Sequence, residues 1–148
     1  MLAERIAPVS KVRRMTYDDV DWFMTLGIKR YPPRWDAIRT ENWLRNRILV
    51  NPAVHLAIRT DKAACVTVLS APEWLPADWD ALVTTVMAEE DANVWKDVIP
   101  LLEASRDWSR RKKCVTWKVA SETHYDLGPL AKRVGAKPET YWMIDWRG

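Results

Sequence analysis

Apolar spacing along this chain changes period several times within 148 residues, and that succession restricts it to folds in which helices pack on a sheet. Val20, Phe23, Met24 and Gly27 recur at helical spacing behind Thr16, a residue suited to capping, with Asp18 and Asp19 in the favourable first turn. Tyr31-Pro32-Pro33 stops that helix. A second helix is predicted over 36–48, with Trp43, Leu44, Arg47 and Ile48 at helical spacing and Asn51-Pro52 beyond its end. The period then shortens. Residues 54–59 and 63–70 read as strands, and the short polar link Thr60-Asp61-Lys62 suits a hairpin.

A further strand, rich in Val and Thr, is predicted over 80–88, followed by the acidic connection Glu89-Glu90-Asp91-Ala92-Asn93. The next helix is expected to be capped at Asp97, which places Pro100 in the first turn, where its missing N–H matters little. A start at Asn93 would instead put a kinking proline inside it. Leu101, Leu102, Ser105 and Trp108 mark its buried face. Residues 114–121 form the clearest strand, with Val115, Trp117 and Val119 inward and Thr116 and Lys118 outward. Asp126 caps a short helix carrying Leu127, Leu130, Ala131 and Val134, and Gly135 ends it. Short strands at 12–15 and 140–146 open and close the series.

There is no repeat, linker or low-complexity segment, so residues 12–148 are read as one domain behind an N-terminal arm, residues 1–11. A net charge of +3 neither requires nor excludes an anionic partner. No apolar run approaches a membrane span, and residues 1–10 are too short and polar for a signal peptide, so a cytoplasmic location is expected. Cys65 and Cys114 sit in apolar β-like runs and read as buried structural thiols. His55 alternates with apolar neighbours, His124 precedes a helix, and no third ligand completes a metal site with either. Ten tryptophans exceed what a small core readily buries, so some are expected at the surface or at contacts with other chains, the alternative being a Trp-rich core in a chain poor in Phe. Trp74 and Trp79, flanking Leu75-Pro76-Ala77-Asp78, are the interface candidates.

The order β-α-α-β-β-β-α-β-α-β, closing through "SETHYDLGPLAKRVGAK", resembles the GNAT N-acetyltransferase fold along nearly the whole chain. The resemblance implies an α/β (α+β) domain, with a mixed and mostly antiparallel central sheet flanked by about four helices. It also implies where a cofactor would lie. In active GNAT enzymes the fourth strand runs into an Arg/Gln-x-x-Gly-x-Gly/Ala turn at a helix N-terminus, where backbone N–H groups hold the pyrophosphate of acetyl-CoA. The matching positions here are Met87, Ala88, Asn93, Val94, Trp95 and Lys96.

This chain departs from that pattern. No glycine occurs between Gly27 and Gly128, so the "EEDANVWKD" turn lacks the residue that lets backbone approach a phosphate closely. Glu89, Glu90 and Asp91 place carboxylates where a polyanion would dock. The family's tyrosine acid, four residues before the glycine that ends the last helix, aligns with Ala131, its asparagine with His124, and the aromatic after the glycine with Ala136. If the chain is active, Glu90 or Glu89 as a base through water and Tyr125 as an acid are the candidates.

Small GNAT-like internal or virion-associated proteins of tailed phages are similar to this chain in length, in tryptophan content, in lacking the glycine turn and in an "H…L.KR.GA" ending. That resemblance implies a catalytically degenerate structural component of a virion, without a cofactor, whose partners are other protein chains. An acetyl-CoA-dependent N-acetyltransferase is the alternative. A nucleic-acid-binding module using Arg106, Arg110, Arg111, Lys112, Lys113 and Lys118 is a third reading.

Overall fold

The computed structural model describes residues 11–30, 36–70, 79–119, 127–138 and 144. Within them a five-stranded sheet runs in sequence order: β1 (Arg13–Arg14), β2 (His55–Arg59), β3 (Ala63–Ser70), β4 (Asp80–Ala88) and β5 (Thr116–Val119). Neighbours are antiparallel except β4 and β5, which are parallel and therefore need a helical crossover between them. The helices are α1 (Val20–Arg30), α2 (Ala37–Trp43, extended by a wide turn over Leu44–Ile48), α3 (Ile99–Arg111) and α4 (Gly128–Arg133).

Two apolar clusters cover the two faces of the sheet. Phe23, Leu26, Leu44 and Ile48 of α1 and α2 pack with Ala57, Ala64, Val66 and Met87. Leu101, Leu102 and Trp108 of α3, with Leu127 and Val134 beside α4, pack on Leu56, Ile58, Cys65, Val83 and Val86. A β-bulge in the β3–β4 ladder between Val66 and Thr67 shifts the register midway.

The predicted hairpin over β2 and β3, the strand β4 and the buried faces of α1 and α3 are all present. Three local expectations are corrected. Helix α3 is entered from Asn93, not Asp97. A wide turn over Val94–Val98, closed by the Ile99 N–H on the Val94 carbonyl, lets the chain enter α3 with Pro100 in its first turn. Val115 is exposed because β5 begins one residue later, although Trp117 and Val119 do pack on the core. Cys114 stands in the turn before β5 and is only half-buried. The arm over 1–10, Tyr31-Pro32-Pro33, Trp74, His124, Tyr125, Asp126 and most of the 140–146 strand lie outside the described residues.

Burial pushes the Cys65 thiol up to about 12, and it raises Cys114 less. A thiol reagent is therefore expected to modify Cys114 slowly in the folded protein and Cys65 only after unfolding. Mass spectrometry after native labelling checks this, and equal rates at the two cysteines would contradict the placement of β3.

Candidate functional site

Strand β4 pairs with β3 along its whole length but with β5 only over Asp80–Val83, from Asp80↔Thr116 to Val83↔Val119. Beyond Val83 the β5 side of β4 has no strand partner among the described residues. The Ala88 carbonyl at the strand's end accepts from Arg30 of α1, at 2.9 Å from Nε and 2.7 Å from Nη2. Met87 is buried beneath α1, and Ala88 is buried on the opposite side among residues facing α3.

The turn leaving β4 is tied to the β2–β3 hairpin. The Glu89 N–H donates to the Lys62 carbonyl at 2.8 Å, and Lys62 Nζ lies 2.6 Å from Asp91 and 3.9 Å from Glu89. Lys62 holds the Asp91 carboxyl below its ordinary range and is itself raised by Asp91. It, rather than Lys96, partly neutralises the acidic turn. Glu90 is exposed and carries no ion pair with a described residue.

The start of the helix closes on itself. The Asn93 side chain accepts from the Lys96 N–H at 3.0 Å, while the Asn93 N–H donates to buried Asp97 at 2.8 Å. This reciprocal cap leaves the Asn93 and Lys96 N–H groups engaged, and the Asp97 N–H is bonded to the Asn93 carbonyl at 2.7 Å. The Asp97 carbonyl accepts from buried Thr60, which anchors the turn to the hairpin. Val94 and Trp95 project outward, and the Arg133 guanidinium of α4 lies 4.3 Å from the Trp95 ring centroid. The residues expected to cradle a pyrophosphate stand together at the end of β4 and the entrance of α3. Two of their N–H groups, those of Asn93 and Lys96, are used internally, carboxylates border the turn, and the Arg133 guanidinium lies over the Trp95 ring.

A cleft of about 340 Å³ opens between α1, α2 and β4, lined by Phe23, Arg39, Thr40, Trp43 and Thr85. Arg39 is its one ionisable lining group, so a base able to accept a proton from an amine is missing from its described walls. Among the described residues no cluster of His, Cys, Asp or Glu could hold a metal, and no helix is long and apolar enough to cross a membrane. His55 is buried on β2, and burial followed by the nearby Arg47 charge lowers its pKa. Trp79 is half-buried, and its carbonyl accepts from the Val115 N–H at 2.8 Å.

Sequence reasoning missed the Arg30 cap on Ala88 and the Trp95–Arg133 contact. Both join residues far apart in the chain, and neither leaves a local spacing signal.

The sequence matches no family model and no curated protein. Solved structures match over nearly the full chain. A probable acetyltransferase is 13% identical, with a TM-score of 0.73 over 91% of this chain and 97% of its own. A predicted acetyltransferase from Clostridium acetobutylicum, solved with acetyl-CoA, is 10% identical at TM-score 0.71, over 92% of this chain and 95% of its own. Glucosamine-6-phosphate N-acetyltransferase from Arabidopsis thaliana is 10% identical at TM-score 0.70, covering 92% and 97%. The chain therefore has the GNAT acetyltransferase fold.

Proposed function

We propose that this GNAT-fold protein works through contacts with other protein chains rather than through acyl transfer. The observation that carries the reading is the reciprocal Asn93–Asp97 cap, which consumes backbone donors where the fold would present them to a pyrophosphate. The acidic border of Glu89, Glu90 and Asp91 supports it, since each solvated carboxylate near a bound phosphate opposes it by several tenths of a kcal/mol. Assembly within a tailed-phage particle is the form this role takes if the sequence resemblance holds, with Trp74 and Trp79 as contact candidates.

A second reading is favoured by the comparisons themselves: an acetyl-CoA-dependent N-acetyltransferase, the class of the structural neighbours. Such an enzyme would have to hold its cofactor without the usual turn, and Glu90 would be the base to test.

Calorimetric titration with acetyl-CoA at near-physiological salt separates the two. No measurable heat of binding is expected. Low-micromolar affinity would overturn the non-catalytic reading, and a loss of turnover in Glu90→Ala would then assign the base.

A further inference from the structure

Helices α3 and α4 end on the same turn with different residues. After α4, the Ala136 N–H reaches back to the Ala131 carbonyl at 2.9 Å, and Gly135 takes a left-handed φ of 98°. After α3, the Cys114 N–H reaches back to the Ser109 carbonyl at 3.1 Å, and the equivalent position is Lys113, with φ 60°. Lys113 is the one non-glycine residue with positive φ among those described. Its Cβ is strained in a conformation that glycine adopts freely.

Three further cations precede it. Arg110, Arg111, Lys112 and Lys113 are all exposed, and none makes an ion pair with a described residue, whereas their neighbours Arg106 and Lys118 face Asp107 and Asp80. Lys112 Nζ lies 5.9 Å from the Trp108 ring. The helix dipole accounts for cations in the last turn. It does not account for a lysine where glycine would be more stable, and strain retained at an exposed charged position points to a function.

We infer that this basic collar binds the phosphodiester backbone of nucleic acid. Four cations without ion pairs to described residues, gathered at one exposed helix end, concentrate positive charge for phosphates, and the two guanidinium forks suit bidentate phosphate contacts. A membrane surface fits less well, because Val115 is the one exposed large apolar residue within the 110–118 segment. Trp108 is only 4% exposed and cannot stack on a base, so recognition is of the backbone and independent of sequence.

Fluorescence anisotropy of the full chain with labelled DNA duplexes tests this. Two unrelated sequences should bind alike, and neutralising about four phosphates should weaken binding about a hundredfold between roughly 50 and 200 mM salt. Lys113→Gly should raise the melting temperature by about 3 °C while reducing the salt slope by about one. An Arg110→Gln/Arg111→Gln variant should lower the slope further while lowering the melting temperature by only about 3 °C, the loss of two charges from the helix end. The inference fails if no duplex binds at low salt, if these variants bind like the parent, or if vesicles containing phosphatidylserine bind and duplexes do not. A lower melting temperature for Lys113→Gly would also overturn it, by removing the strain on which it rests.

Discussion

Asp19→Ala is expected to destabilise the domain by about 3–5 kcal/mol, the range for breaking a buried ion pair by removing one partner. The Asp19 carboxylate is 4% exposed and accepts from Arg13 at 2.8 Å through both guanidinium nitrogens, from Arg59 at 2.9 Å and from the Thr16 N–H at 2.8 Å. It joins the entrance of α1 to the edge of the sheet, where β1 is only two residues long. Arg13 is half-exposed and can return to water. Arg59 is largely buried, with its guanidinium 3.4 Å from the Trp22 ring, and is the cation left without a carboxylate. Bonds from Arg13, then from the Thr16 N–H and Arg59, hold the Asp19 carboxyl far below the ordinary carboxylate range. A folded-state pKa below the unfolded one contributes stability that is complete above about pH 4 and is lost as pH falls from there towards the folded value. Urea unfolding near pH 7 should show the full deficit in Asp19→Ala, and the difference from the parent should shrink as the pH drops below about 4. Similar midpoints near neutral pH would show that Asp19 does not hold this edge together.

Sequence order and periodicity made most of this fold legible, because β2, β3 and β4 and the buried faces of α1 and α3 are stated locally. What periodicity could not convey was how the chain enters α3. Pro100 argued for a cap at Asp97, yet a wide turn and the mutual bonds of Asn93 and Asp97 move the entrance four residues earlier without breaking the helix. Asp97 is thus a buried member of the cap rather than its first residue. Val115 was misplaced for a related reason. Alternation fixes which residues share a face, but not where pairing with β4 begins, and that start is at Thr116. The candidate site was legible as a region, since the absence of glycine and the acidic run are both visible in the sequence. Its internal closure was not, because Lys62, Thr60, Arg30 and Arg133 come to it from other elements.

Trp117→Ala is expected to cost about 3 kcal/mol, the low end of the range for deleting a large core aromatic, because the ring is only half-buried. Its position makes the loss more than one of area. Trp117 Nε1 donates to Ser105 Oγ at 2.9 Å, and Ser105 is hydrogen-bonded to Thr67, so one polar chain links β5, α3 and β3 across an apolar core. Ser105 and Thr67 are fully buried and have each other, so losing the indole removes a hydrogen bond without stranding either hydroxyl. Trp117→Phe should therefore cost about 1 kcal/mol, with most of the alanine deficit coming from lost packing of β5 against α3. Ser105→Ala removes the acceptor and leaves the indole N–H and Thr67 to be satisfied otherwise, so Trp117→Phe should cost less in the Ser105→Ala background than in the parent. Denaturant unfolding of the two single variants and the double variant reads the coupling. Strict additivity would show that the hydrogen bond contributes nothing and that Trp117 holds β5 by contact area alone.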